Sequence, residues 1–528
     1  MIRVRQIKVD VRKDNNDDIL RELCKKLRIN KEMVKDIKII RKSLDARFKP
    51  NLYYVYELDV LVDNEDKLLK KYGCNDIFLS PNEEFNFEIT GTENLKSRPI
   101  IIGSGPAGLF CAYLLAEHGY NPIIIERGEK VEDRVKSIEK FWNTGKLNIN
   151  SNIQFGEGGA GTFSDGKLNT LVKDKEFIGK KVFEIFVENG APKEIMYLNK
   201  PHIGTDLLRK VIINMREKII SMGGEFKYNS CMTDIEIMDN RIKSITINNN
   251  EKINCDNLIL AIGHSARDTF KMLYEKGINM ESKPFAVGLR IEHPQKMINQ
   301  NQYGIDYHPY LGQASYKLTY KASNNRGVYS FCMCPGGYVV NASSEEGYLV
   351  VNGMSNHDRE SENANSAIVV TVGPKDYGTN PLDGIEYQRK LESAAYKIGN
   401  GKIPLQLYKD FKDNNMSTSL GNIKAITKGE YTLSNLNLIL PEYISSSIKE
   451  AIPYFDKKIK GFAHDDAILL GIESRTSSPV KILRDHNYES SILGIYPIGE
   501  GAGYAGGITT SAIDGVKMAL VFAKKYKI

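Results

Sequence analysis

The sequence has no apolar run clean enough to cross a membrane. Its most apolar stretch, Pro99 to Ala116, is broken by Gly103, Gly105, Pro106 and Gly108. A strand-turn-helix places glycine and proline that densely; a membrane helix does not. The N-terminal stretch MIRVRQIKVDVRK alternates charge with Val and Ile and lacks the apolar core of a signal peptide. Cysteine is sparse: Cys24, Cys74, Cys111, Cys231, Cys255, Cys332 and Cys334 are odd in number and show no disulfide-framework spacing. A reducing cytoplasm is the expected compartment, and no membrane partner is expected. The net charge of +6 is small for 528 residues and does not demand a nucleic-acid partner. No His/Cys/Asp group has metal-ligand spacing, no Ser/His/Asp constellation is legible, and no internal repeat is visible.

What is present divides into segments. A chain of this length calls for roughly three or four domains. Residues 1–90 read as a small α+β module, perhaps ferredoxin-like. Strands are expected at Ile2 to Val11, Ile37 to Ile40 and Tyr53 to Val62, with a helix capped by Asp17 or Asp18 and carrying Ile19, Leu20, Leu23 and Leu27. Its middle, KIIRKSLDARFK, is basic. A charged, solvated strand edge is the simpler reading, and a nucleic-acid contact the alternative. After a polar linker, residues 97–280 and 461–528 carry strand, glycine turn and helix. Residues 281–460 are strand-rich and read as an inserted α+β substrate domain. The expected class is α/β.

The central motif is Gly103-Ser104-Gly105-Pro106-Ala107-Gly108, between a short apolar strand and a helix. In that setting Gly103 permits the tight turn, Gly105 lets a pyrophosphate approach the backbone, and Gly108 lets helix and strand pack. The helix N-terminus offers free N–H groups and the positive end of its dipole to phosphate. Glu126, at the end of the next strand, is placed to accept hydrogen bonds from ribose hydroxyls, and Arg127 beside it to pack on an adenine. A second motif of this kind, after a clean strand, is missing. A nicotinamide donor would therefore act without its own Rossmann domain.

Here the chain resembles the glutathione-reductase-like flavoproteins, which hold FAD in this site. Three further segments carry the resemblance. The turn Ala261-Ile262-Gly263 looks like the superfamily's second FAD segment, and by the same resemblance Met232 or Thr233 offers backbone contacts to adenine. The run Gly499-Glu500-Gly501, followed by Gly507 and a helix from Ile508, looks like its C-terminal Gly-Asp motif, with Glu in place of Asp. The loop from Gln154 to Leu168, with Gly158, Gly159, Ala160, Gly161 and Thr162, spends many glycines, so something should come close to its backbone. Together with KPFAVGLRIEHPQ, FCMCPGG and GIESRTSSPVKI, these segments resemble a narrower group: bacterial FAD-dependent dehydrogenases described as NAD(FAD)-utilising. The resemblance implies a flavin-dependent oxidoreductase moving a hydride between FAD and a small molecule. NAD(P)H, a ferredoxin or a flavodoxin would serve as reductant. An RNA-associated flavoprotein, using the basic N-terminal module, is the alternative.

Candidates for chemistry on the flavin are fewer. Cys332 and Cys334 invite a redox or nucleophilic reading; if the segment is a strand, they share one face and are simply packed. Glu473, Ser474 and Arg475 read as a substrate-facing acid and anion clamp, or as a buried ion pair. His264, directly after the AIG turn, is placed to relay protons. His202 and Arg290 are weaker candidates.

Overall fold

The structure, a computed structural model, describes every residue except 171, 173 and 306–309. The first unit follows the order strand, helix, two strands, helix, strand. Its antiparallel sheet runs Val34–Asp45, Tyr53–Val62, Ile2–Asp10, Ile77–Leu79, the arrangement of a ferredoxin-like module. The helices Asn16–Leu27 and Glu65–Tyr72 complete it. The first helix is capped not by Asp17 or Asp18 but by Asn15, whose side chain accepts the Asp18 N–H at 2.9 Å. The two aspartates sit in the first turn instead, where they favour the helix dipole.

Two cations of the basic segment are paired, Lys42 with Asp14 and Arg47 with Asp45. Its edge strand is also covered: Lys42 N–H donates to Tyr197 O at 2.8 Å, and Asn199 N–H to Lys42 O at 2.9 Å.

The second unit is a five-stranded parallel sheet in the order Ile495–Pro497, Leu258–Leu260, Ile100–Ile102, Ile123–Ile125, Glu225–Lys227. The central strands read as apolar runs because both their faces are covered, while the edge strand Glu225–Lys227 is polar and partly exposed. The helix Pro106–Glu117 starts with Pro at its first position and is buried from Ala107 to Ala116. It lies between the sheet and the C-terminal helix Ile508–Lys525. A Cβ on Gly515 would come within 2.2 Å of Ala107 O, so the two helices meet backbone to backbone. A three-stranded antiparallel meander, Met232–Met238, Arg241–Ile247 and Glu251–Asn254, flanks the sheet.

The third unit is inserted between two strands that form a ribbon, Met280–Ser282 against Val480–Ile482. Its seven-stranded sheet runs Thr319–Lys321, Gly327–Cys334, Asn363–Val372, Phe285–Pro294, Ile468–Glu473, Ile403–Leu407, Tyr431–Leu433. Ile468–Glu473 pairs with Phe285–Pro294, so this sheet continues past the division expected at residue 460. The helix Glu442–Asp456 buries Ile444, Ile448, Ala451, Ile452 and Phe455 against it.

The central strand Phe285–Pro294 carries Arg290, Glu292 and His293, none of them exposed. Burial pushes the Glu292 carboxyl up to about 8, against the opposing pull of the Ile426 N–H, Asn363 and Arg290. The folded chain therefore holds a proton there that the unfolded chain releases above the ordinary value of 4.5. Stability should fall as pH rises from that ordinary value to about 8, by about 1.4 kcal/mol per pH unit. Glu292→Gln removes this dependence. Thermal unfolding of both proteins near pH 5 and near pH 8 should show the variant gaining on the parent at the higher pH. An equal difference at both would mean that Glu292 is ionised in the fold.

Candidate functional site

Four glycine-bearing segments meet at the carboxyl ends of the parallel strands, and the meeting is backbone to backbone. Gly103 has φ +98, and a Cβ there would lie 2.4 Å from Ala261 O. A Cβ on Gly108 would lie 2.0 Å from Gly103 O and 3.4 Å from the Ala261 side chain. The dinucleotide turn and the Ala261-Ile262-Gly263 turn are thus in direct contact. Gly501 closes on the latter, with a Cβ 2.4 Å from Gly263 O, and Gly499 on the former, with a Cβ 2.7 Å from the Ala107 side chain. The loop from Gln154 completes the set. Gly158 N–H donates to Ser104 O at 2.9 Å, a Cβ on Gly159 would lie 3.0 Å from Gly105 Cα, and one on Gly161 would lie 2.9 Å from Ile508.

The groups left open suit a dinucleotide. Helix Pro106–Glu117 begins at Gly105 and helix Ile508–Lys525 at Gly507, and neither has a side-chain cap. A Cβ on Gly263, Gly506 or Gly507 would meet nothing within 4 Å. The Thr162 hydroxyl is buried without a hydrogen-bond partner, inside the glycine loop. Two helix N-termini, an orphaned hydroxyl and a wall without side chains fit a ligand carrying phosphates and a planar ring.

Glu126 differs from its expected role. Its carboxylate already accepts four bonds: Ser104 N–H at 2.9 Å, Ser104 Oγ–H at 2.8 Å, Gly128 N–H at 2.9 Å and Gly156 N–H at 3.1 Å. A carboxylate has about four acceptor sites, so a ribose hydroxyl would have to take the place of the Ser104 hydroxyl. Glu126 is first of all the knot joining the turn, the strand end and the glycine loop. Arg127 is likewise engaged: it stacks on the Phe155 ring at 4.4 Å, pairs with Asp268 and donates to Cys231 Sγ. Met232 is buried in the meander, and Thr233 caps its turn by accepting the Asn249 N–H.

The residue that shapes the loop is Arg134, which sequence reasoning missed. It is fully buried on the helix Val131–Thr144, and every bond it makes goes to a backbone carbonyl: Asn152, Ile153, Gly156, Glu157 and Gly159. Its signal was an arginine on the helix's buried stripe with Val131, Ile138 and Phe141. Glu157, also fully buried, ties the loop to the helix start by accepting the Val131 N–H, Arg216 and the Tyr228 hydroxyl. Asp165 ties it to the inserted unit through Arg359 and the Ser355 hydroxyl.

The candidates for chemistry separate. His264 Nδ1 lies 3.2 Å from Glu500 Oε1, while its Nε2 is buried without a partner. Burial alone would raise the Glu500 carboxyl; bonds from His264 and the Gly507 N–H more than offset it and hold it below its ordinary value. Cys332 and Cys334 do not share a face. The pairing of their strand shifts between Phe331 and Cys334, and Cys332 takes φ +42. The bulge leaves Cys332 exposed and Cys334 buried, both as free thiols. Burial pushes the Cys334 thiol up despite the opposing fields of Lys167 and Arg290, so it is not an activated thiolate.

Glu473 and Arg475 are not a joint substrate clamp. Glu473 accepts from Arg290 at 2.9 Å, and Arg290 also reaches Cys332 O, Asn365 and Asn352. Arg475 points into a different cluster, where it and Arg267 each clasp both oxygens of Glu392, and Ser474 donates to the same carboxylate. The strand ends at Glu473, so the alternation that would put positions 473 and 475 on one face does not extend to Arg475. His202 is stacked on His357 at the boundary with the inserted unit; burial, helped by Arg359, pulls it down to about 4, so it is neutral. Among the described residues no metal-binding group occurs, and no helix is long and apolar enough to cross a membrane.

Comparison with known proteins agrees with this geometry. Residues 284–476 match the family described as FAD-dependent protein, C-terminal domain-like, and residues 101–152 match the NAD(P)-binding Rossmann-like domain. Residues 1–61 match a domain of unknown function. An uncharacterised protein of Clostridium beijerinckii is 48% identical over 531 residues, covering 99% of both chains. Among solved structures, a variant of Escherichia coli quinol fumarate reductase FrdA (12% identity, 82% of this chain and 70% of that one) has a TM-score of 0.36. Glycine oxidase of Bacillus cereus (10% identity, 82% and 99%) also has a TM-score of 0.36. Similarity at that level does not extend to substrate or reaction. With its dinucleotide cradle and its matching C-terminal domain, the chain binds FAD and belongs, with the C. beijerinckii protein, to a family of FAD-dependent proteins.

Proposed function

We propose that the protein is an oxidoreductase exchanging a hydride between a small-molecule substrate and FAD, with His264 carrying the accompanying proton. The reading rests on the His264–Glu500 pair, which joins the second FAD segment to the C-terminal one. When bound, FAD takes up or returns the hydride. With Nδ1 as the donor to Glu500, Nε2 is the acceptor that His264 offers a ligand. That nitrogen is buried and has no partner, the arrangement of a base kept for a ligand's proton. The Arg134-organised loop and the two uncapped helix N-termini would hold the diphosphate and the ring.

Anaerobic stopped-flow with NADH, NADPH, reduced ferredoxin and reduced flavodoxin tests the reading, with loss of flavin absorbance as the signal. If none of these reductants bleaches the flavin, the proposal is overturned. With whichever reductant acts, His264→Gln should slow turnover with an oxidising substrate by about 100-fold or more and remove the pH dependence of the rate. FAD content and melting temperature should not change. An unaltered rate and pH profile would remove His264 from the reaction.

A further inference from the structure

A solvent-open cavity of about 410 Å³ adjoins the C-terminal FAD segment. That size suits a small metabolite. One wall is the face of helix Ile508–Lys525 carrying Thr510, Asp514 and Lys517; another is the loop at Gly503 and Tyr504; the third is Lys283 and Ser477, where the chain enters and leaves the inserted unit.

The charges in these walls do not balance. The carboxylate of Asp514 is already paired: Arg484 holds both its oxygens, at 2.9 and 2.7 Å, and the Gly499 N–H donates at 2.7 Å. Neither ammonium, Lys283 nor Lys517, has a hydrogen bond or ion pair among the described residues. Lys481 behind Tyr504 is different, since Glu281 pairs with it at 3.1 Å. Burial lowers Lys283 against the opposing pull of Glu500. Two unpaired cations around a roomy, half-sheltered cavity are complementary to a compact anion, since a charge-assisted bond is about twice as strong as a neutral one.

We propose that this cavity binds a small organic anion, a carboxylate or phosphate compound, through Lys283 and Lys517. Such a ligand would bridge the helix of the FAD-binding unit and the segment leading into the inserted unit. The site follows from the protein's own cations and does not depend on the hydride-transfer reading.

The test is calorimetric titration of the FAD-loaded protein at fixed ionic strength with succinate, inorganic phosphate and pyrophosphate, with chloride as the control. At least one of the three should bind saturably where chloride does not. Preference for succinate would assign the carboxylate class, and preference for the phosphates the phosphoryl class. Lys283→Gln and Lys517→Gln should each weaken binding by about tenfold or more, while Lys283→Arg should stay within about threefold of the parent. The arginine variant separates loss of charge from loss of fold. Absence of saturable binding by all three probes, or binding unchanged in both glutamine variants, would overturn the proposal.

Discussion

Replacing Arg134 with methionine is expected to strip the protein of its FAD. The guanidinium donates to five carbonyls at 2.6 to 3.2 Å, four of them within residues 153–159. No carboxylate bonds to it, so burial lowers its basicity, to about 9; it is still charged at neutral pH. Methionine fills a similar volume but supplies no donor. Each carbonyl left buried without a partner costs about 1–3 kcal/mol, and even after relaxation the total should exceed about 3 kcal/mol. The glycine loop would lose its shape before the rest of the unit unfolds, because it has little secondary structure of its own. Arg134→Lys offers three donors from one point and should fall between the two. The readout is FAD retained after gel filtration, together with the melting temperature. Retention and melting equal to the parent's would show that the loop organises itself without Arg134.

Gly105→Ala should separate FAD affinity from folding. Gly105 has φ −72, which alanine adopts without strain, and an added Cβ would meet only Gly159 Cα, at 3.8 Å. The apoprotein should therefore melt within about 2 °C of the parent. The methyl group would stand between the turn and the loop, where a pyrophosphate must touch backbone. An intruding methyl of this kind costs about 1–3 kcal/mol, which is roughly 5- to 150-fold in FAD affinity. Gly108→Ala is the contrasting case: its Cβ would meet a backbone oxygen at 2.0 Å, and folding itself should suffer. If Gly105→Ala binds FAD as tightly as the parent does, the pyrophosphate does not lie on this turn.

The elements legible in advance were those whose cause is local. Ile100–Ile102, the turn at Gly103 and the helix from Pro106 declare themselves by an apolar run, a positive-φ glycine and a proline at the first helical position. Tyr53–Val62 and Arg241–Ile247 form strands with the bounds the sequence suggests. The cradle was also legible, because close approach of backbones demands glycine wherever in the chain it occurs. What escaped were pairings set by tertiary structure. Glu126 looks free to meet a ribose until Gly128 and Gly156 are seen donating to it. Glu473 and Arg475 are near neighbours in sequence, yet their partners, Arg290 and Glu392, lie in different clusters. The bulge that parts Cys332 from Cys334 has no local marker, since cysteine carries no preference for positive φ.

The ribbon of Met280–Ser282 and Val480–Ile482 has a consequence for the family's history. Nearly two hundred residues leave and rejoin the FAD-binding unit through adjacent antiparallel strands. The inserted unit is in effect a cassette with both ends at one socket. Its length and loops can drift without disturbing the register of the parallel sheet or the glycine cradle. Contacts beyond the socket include the clasps of Asp165 with Arg359 and of Glu392 with Arg267, and the packing of Ile138, Ile153 and Phe163 on Val340, Ala342 and Val350. Exchange of the rest would leave the socket and the glycine cradle in place.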